Sequence, residues 1–211
     1  MAIQKVDTPA SIFFHFDPLC PLAWRTALWI REVRQVRPVD VTWRFFSLEV
    51  VNRKEGVEPD YRDGPGWAGL RTLALARRQG GNETVEKVYL ALGAAQHGRK
   101  ESIRTTDGVR VALQQAQFDP ALVDEALSNE TTIQDVLSDH EEAVNRYRAF
   151  GVPTIALKGS EVGFYGPIIQ FVPRGEDAGE LWDYTEWALH QPNLFELKRD
   201  RSNVRWEPIE E

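Results

Sequence analysis

The sequence predicts an α/β fold in which a β-α-β unit and a β-β-α unit are separated by a long block of helices. Three observations carry this. Two short apolar runs, 11–16 and 39–48, flank a helical pattern. Residues 67–150 then show helical periodicity with almost no strand signal. Finally, two short strand-like runs and one more helical pattern follow. That order is the order of a thioredoxin fold with an all-helical domain inserted between its halves.

The first run, "SIFFHF" at 11–16, is continuous enough to be a strand buried on both faces. Asp17 and Pro18 end it. From Pro21 to about Val36 the apolar stripe of Ala23, Ala27 and Ile30, with Trp29, Val33 and Val36 beside it, reads as a helix that Pro38 stops. "VDVTWRFFSL" (39–48) alternates as a second strand, parallel to the first by the right-handed crossover rule. Residues 49–66 are charged and rich in Gly and Pro, so a loop is expected. Helices are expected at 67–79, 83–98 and 107–117. A further one opens at Asp119 as N-cap with Pro120 at its first position, and the last spans 131–150 and closes at Gly151. "PTIALKG" (153–159) and "EVGFYG" (161–166) read as an antiparallel hairpin. The final helix lies within 173–191 and turns Leu181, Trp182, Thr185 and Leu189 inward. The expected division is therefore 1–60 with 151–211 as the thioredoxin-like domain, and 61–150 as the inserted helical domain.

The chain has 211 residues, 42% hydrophobic and 27% charged, a globular rather than a disordered balance. Its net charge of −7 argues against a nucleic-acid partner, which requires a basic face. No apolar run approaches the roughly 20 residues of a membrane span, and no charged-then-apolar leader opens the chain. The expected location is the cytoplasm, with no membrane partner. One cysteine excludes an internal disulfide and a thiolate metal cluster. His97, His140 and His190 have no metal-ligand spacing and read as surface or packing residues. No GxGxxG or P-loop pattern occurs, so neither a metal nor a nucleotide is expected. "RDGPGWAGLR" (62–71) lacks a preceding strand and reads as a mobile loop over the site.

The single thiol, Cys20, stands at the junction of the first strand and first helix. Free backbone N–H groups and the positive end of the helix dipole converge there, and both favour thiolate. Pro21 suits the first helical position because it has no N–H to waste. The bland alternative is a small buried hydrophobe, and the junction argues against it. "GVPT" (151–154) opens the third strand. A cis Val152–Pro153 bond there would turn the Val152 backbone toward Cys20, where it could pair with a thiol substrate. The alternative is an ordinary Pro at a strand start. His15 shares a strand face with Phe13 and Asp17 and is a candidate base for Cys20, set against an equally plausible core histidine. Asp17 reads mainly as a turn or cap residue. Trp24 is expected under the helix, and lining the pocket as a second choice.

"FDPLCP" with Trp24, "GVPT", "FYGP" (164–167), "PRGEDAGELWD" (173–183) and "FELKRDR" (195–201) resemble the mycothiol-dependent nitroreductases. These belong to the DsbA-like thioredoxin-fold group, with the kappa-class glutathione transferases and hydroxychromene-carboxylate isomerases. The likeness spans nearly the whole chain and is thinnest across the helical block. The resemblance implies an attacking thiol at Cys20 and a cis-proline at Pro153, and carries the resolving thiol onto nothing. The residues around these two, Pro21, Leu22, Ala23, Trp24 and Val152 with Pro153, are the expected thiol-binding site. It implies mycothiol, a cysteine-sugar thiol, or another small thiol such as glutathione, as cofactor. It leaves a homodimer open. The family's nitroreductases carry Cys-Pro-Trp-Cys. Here Leu22 replaces the Trp, Ala23 replaces the second Cys, and His15 stands where an aromatic is expected.

With one thiol, a mixed disulfide on Cys20 needs an external thiol to release it. Three mechanisms follow. Cys20 acts as a monothiol exchanger on a small disulfide, resolved by a second mycothiol. Or the site activates the sulfur of mycothiol or glutathione against a small electrophile, as a transferase or isomerase does, with Cys20 as a hydrogen-bond donor or covalent anchor. Or the fold is an inactive binding module. An engineered Ala23 is the least attractive explanation, since Leu22 departs from the pattern too. The leading expectation is a thiol-dependent oxidoreductase.

Overall fold

A computed structural model describes residues 9–209. Its single sheet has the order β2-β1-β3-β4. The strands are β1 (Ala10–Phe16), β2 (Val39–Phe45), β3 (Thr154–Leu157) and β4 (Gly163–Tyr165). β1 pairs parallel with β2 and antiparallel with β3, and β3 pairs antiparallel with β4. β1 is central and loses both faces to the core: Ile12, Phe14 and Phe16 on one side, His15 and Asp17 on the other, are all buried. Edge-to-face contacts of Phe14 and Phe16 with Trp43 tie it to β2.

The helices are α1 (Pro21–Val36), α2 (Leu48–Asn52), α3 (Trp67–Gly93), α4 (Thr106–Gln115), α5 (Ala121–Ser128), α6 (Thr131–Tyr147) and α7 (Gly175–Leu189). α1 returns the chain from β1 to β2, and α7 packs along it. Trp29 donates its indole N–H to Ala178 O at 3.0 Å, and its ring lies 6.2 Å from that of Trp182. Buried Arg37, just past α1, forks onto Asp183 and Glu176 of α7. α3 to α6 lie in the chain between β2 and β3, so the fold is a thioredoxin fold with an all-helical insertion. No helix among the described residues is long and apolar enough to cross a membrane.

Several element boundaries differ from the sequence expectation, among them the end of α6, which stops at Tyr147 with Arg148 as a left-handed C-cap (φ 55°) instead of running to 150 and closing at Gly151. The second strand stops at Phe45, because Ser47 Oγ accepts the Val50 N–H and starts α2 instead. The two helices expected at 67–79 and 83–98 are present within α3, separated at Gly81, whose backbone is not helical (φ 70°, ψ −162°), and the second runs on into a π-type turn at Ala94–Gly98. α5 begins at Ala121, one residue later than expected, so Pro120 rather than Asp119 is its N-cap, and Asp119 accepts the Ala121 N–H at 2.9 Å from the preceding turn.

Two buried polar groups fasten the helical block. Asp139 of α6 accepts from Arg44 at 2.7 Å, Arg77 at 2.5 Å and the Phe45 N–H at 3.1 Å, joining β2, α3 and α6. Arg71 of α3, 1% exposed, donates to Tyr61 O, Leu127 O, Asn129 O and Thr132 Oγ1. One guanidinium thus holds the 49–66 loop, the end of α5 and the start of α6. Arg71→Ala strands those acceptors in the interior, where each unmet group costs about 1–3 kcal/mol. The expected loss is about 3 kcal/mol or more in urea titration; a loss under about 1 kcal/mol would contradict this account.

Burial also holds three histidines neutral. From 6.5 when free, His15 falls to about 3, and His97 and His140 to about 4. The unfolded chain therefore takes up protons first as pH falls. Their contribution to stability is complete above pH 6.5 and is lost as pH falls toward about 4 for His97 and His140 and about 3 for His15. Asp17, raised to about 6 from 3.8, acts in the opposite direction but is a single group. Thermal midpoints should fall from pH 7 to 4.5, and less steeply in His15→Leu; equal slopes would contradict the assignment.

Candidate functional site

Cys20 is the N-cap of α1 (φ −82°, ψ 112°). Its Sγ accepts the Ala23 N–H at 3.4 Å and donates to Val152 O at 3.2 Å. The sulfur thus bridges the start of α1 and the loop that leads into β3. The Val152–Pro153 peptide is cis, and so is Gly166–Pro167. The two loops meet, since the Gly166 N–H donates to Pro153 O at 2.8 Å. Pro167 O in turn accepts from Thr26 Oγ1 of α1 at 2.8 Å.

The thiol is only 5% exposed. Burial pushes it up to about 11, and the Ala23 and Leu22 N–H groups pull against that without prevailing. Nearby Asp17 pushes the same way as burial, while Arg201 from the C-terminal tail opposes it. The expectation of an ionised, reachable thiol is thus corrected: removing the sulfur from water outweighs the helix-start N–H groups.

His15 is corrected as well. Its cross-strand partners are Arg44 and Thr154, its ring lies 5.7 Å from that of Tyr147, and it is fully buried. Neither ring nitrogen has a hydrogen-bond partner among the described residues. Burial first, then Arg44 and His140, hold it down to about 3. It is a core histidine that burial keeps neutral, facing Tyr147 and Arg44, with no hydrogen bond to Cys20 among the described residues.

Pro21 is exposed at the start of α1 and Leu22 is half-buried. Ala23 and Trp24 are buried. Trp24 packs beneath the helix, as expected. α3 comes so near its indole that a Cβ on Gly93 would lie 2.2 Å from the ring. Asp17 serves as a turn clip: Oδ1 accepts from Leu19 N and Oδ2 from Leu48 N, each at 2.8 Å. Burial still raises it to about 6.

Two residues near the thiol were given no part in the site by sequence reasoning, which passed over Tyr89 and read His97 as a surface or packing residue. Tyr89 of α3 stacks on Phe16 at 3.9 Å, and its buried hydroxyl has no hydrogen-bond partner among the described residues. It lies within electrostatic reach of Cys20 and Asp17. His97 stacks on Trp24 at 6.0 Å, and its Nε2 lies 2.9 Å from Pro18 O. A carbonyl only accepts, so Nε2 carries the proton and donates. His97 therefore holds down the loop that presents Cys20. No local pattern marks either residue, because only the tertiary approach of α3 and the turn after it brings them to β1 and α1.

The C-terminal tail is fastened to α1. Arg25 of α1, 4% exposed, donates to Gln170 O at 3.1 Å and to Glu207 O, and lies 5.3 Å from the Trp206 ring. The Gln170 side chain donates to Arg205 O at 3.0 Å. His97→Ala should free the 17–20 loop, with Cys20 alkylated about tenfold faster, the equivalent of one lost hydrogen bond. His97→Gln, which keeps a donor, should recover most of the protection. Equal labelling rates in all three proteins would contradict the clamp.

Comparison with known proteins fits this geometry. The family model for "Rv2466c-like: Mycothiol-dependent nitroreductase Rv2466c" matches residues 19–199. An uncharacterized protein of Mycobacterium tuberculosis (strain ATCC 25618 / H37Rv), Rv2286c, is 36% identical over 194 residues, which are 91% of this chain and 83% of that protein. Among solved structures, the probable DsbA oxidoreductase SCO1869 from Streptomyces coelicolor aligns at TM-score 0.59 and 18% identity, covering 92% of this chain and 94% of that one. A 2-hydroxychromene-2-carboxylate isomerase aligns at TM-score 0.58 and 16% identity, covering 85% and 95%. At such identities the two structures establish the fold they share with this protein. The extent of the family match decides membership: the chain belongs to the Rv2466c-like family, that of the mycothiol-dependent nitroreductase Rv2466c.

Proposed function

We propose that this protein is a thiol-dependent oxidoreductase that binds a small thiol of the mycothiol type, with the cofactor's sulfur rather than Cys20 as nucleophile. The observation that carries this is the neutral, buried thiol of Cys20, already donating to Val152 O. A protonated S–H cannot attack, but it can turn from Val152 O to a cofactor thiolate and stabilise its charge. The freed Val152 backbone then has an N–H and a C=O with which to pair the cofactor's amide. Ala23, with no second thiol, removes the internal resolving step, so electrons must come from cofactor molecules.

The electron balance is simple. With a nitro compound as electrophile, two cofactor thiols form one disulfide, the nitro group becomes nitroso, and one water leaves. With a disulfide, two cofactor thiols form one new disulfide and release two thiols. A single addition, with the sulfur bonding to an electrophilic carbon and the proton following the displaced electron pair, gives transferase or isomerase chemistry at the same site.

The monothiol-exchange reading has support of its own: the Ala23 and Leu22 N–H groups and Arg201 all favour a thiolate at Cys20 once water reaches it. In either reading we place the protein in the cytoplasm, where small thiols are kept reduced. Turnover of a nitroaromatic with mycothiol separates the two. Cys20→Ser, which keeps a donor, should stay within about tenfold of the native rate, and Cys20→Ala should lose about a hundredfold. A Ser variant as inactive as the Ala variant, with a mycothiol adduct on native Cys20 by mass spectrometry, would reject the donor role in favour of exchange.

A further inference from the structure

A buried donor without an acceptor stands beside the thiol. Tyr89, on the second half of α3, is 1% exposed, and its hydroxyl meets no hydrogen-bond partner among the described residues. A hydroxyl taken out of water and given no partner carries the full cost of its lost hydration. Its ring cannot swing out to recover a partner. It stacks on Phe16 at 3.9 Å and meets Trp43 and Trp24 edge-on at 5.8 and 5.9 Å. Phenylalanine would fill the same cage without that cost, so the hydroxyl calls for an acceptor that the resting structure engages elsewhere.

Two acceptors lie within its electrostatic reach. After burial itself, Cys20 and then Asp17 push the Tyr89 phenol well above its usual range, which keeps its proton in place for donation. Asp17 is committed: Oδ1 accepts from Leu19 N and Oδ2 from Leu48 N, each at 2.8 Å. The commitment of Cys20 is conditional. Its Sγ accepts the Ala23 N–H at 3.4 Å and gives its hydrogen to Val152 O at 3.2 Å. A carbonyl only accepts, so a sulfur that loses its proton loses Val152 O with it. The vacated side of the sulfur then needs a donor.

The fold couples these groups through the aromatic cage. Phe16 ends β1 and Trp24 closes the first turn of α1, so the two rings that grip Tyr89 flank the segment that carries Cys20. The groups that face Cys20 are then the Ala23 and Leu22 N–H groups of α1, the Tyr89 phenol of α3, Asp17 of the preceding turn and Arg201 of the tail. Among these only Asp17 opposes a negative sulfur. A donor on a caged ring is already in position when charge appears and needs no reorganisation to meet it.

We infer that Tyr89 is a positioning residue for Cys20: its hydroxyl donates to the sulfur when ionisation or a bound ligand takes that sulfur off Val152 O. Where Cys20 acts as a donor to a cofactor thiolate, the Tyr89 O–H and the Cys20 S–H form one chain in which each hydrogen bond strengthens the next. Where Cys20 itself exchanges, the same hydroxyl holds its thiolate. The assignment goes beyond the proposed reaction, because it depends neither on which sulfur attacks nor on which small thiol binds.

Alkylation of Cys20 by iodoacetamide as a function of pH, with thermal stability measured in parallel, tests this on the intact chain. Tyr89→Phe keeps the ring and its cage. It should label about five- to tenfold more slowly at every pH below the thiolate midpoint, the loss of one hydrogen bond to the charged form, with a thermal midpoint no lower than that of the native protein. A hydroxyl with a merely structural role gives the reverse, a lower thermal midpoint and faster labelling, and that result would overturn the inference. Equal labelling rates, as expected if the unpartnered Trp24 indole N–H serves the sulfur instead, would overturn it too. Should Tyr89→Phe lose its near-ultraviolet dichroism, 3-fluorotyrosine at position 89 gives the same readout. Its more acidic hydroxyl is the stronger donor and should speed labelling, and an unchanged rate would count against the assignment.

Discussion

The arrangement depends on a conflict at one sulfur. The start of α1 offers Cys20 backbone N–H groups that favour negative charge, and the surrounding core removes the water that charge requires. Removal from water is the larger effect, and the thiol stays protonated with its hydrogen on Val152 O. Helix starts are often equated with reactive thiolates. That holds where solvent or a cation completes the solvation of the anion, and here Asp17 adds a charge of the wrong sign instead. A neutral donor facing the backbone at the start of β3 is a different device from a dithiol that cycles through a disulfide, and it can be built with one cysteine.

Everything that surrounds the sulfur keeps it dry. Trp24 lies so close to α3 that position 93 has room for glycine alone. His97 stacks on that indole and hydrogen-bonds Pro18 O. Asp17 couples the same loop to the first residue of α2. On the far side Arg25 anchors the chain end through Glu207 and Trp206. The cover is assembled from four distant segments, each attached by a few polar contacts, so exposure of the thiol is adjustable without unfolding the sheet.

Much of this was legible from sequence. The bounds of α1 follow from Pro21, from the apolar stripe and from Pro38, and they match the structure at both ends. The hairpin of β3 and β4 follows from two short apolar runs about a Lys-Gly-Ser turn. The position of Cys20 at a strand–helix junction was equally plain. Its ionisation was not, because N–H groups are local and can be read from the neighbours of a residue. Desolvation comes from tertiary packing around the sulfur, and spacing along the chain does not reveal it. For the same reason His15 looked like a base when read beside Cys20 in the chain, although its own environment is Tyr147 and Arg44. Tyr89 and His97 were hidden among ordinary helical residues until the break at Gly81 and the π-type turn brought them to the site.

The central claim is that Cys20 rests as a thiol. Since it is the chain's only cysteine, the ultraviolet absorbance of thiolate, followed against pH with the Cys20→Ser protein as blank, reports that one group directly. The account expects a midpoint near 11 and no step near neutrality. A full thiolate signal already present at pH 7 would contradict it.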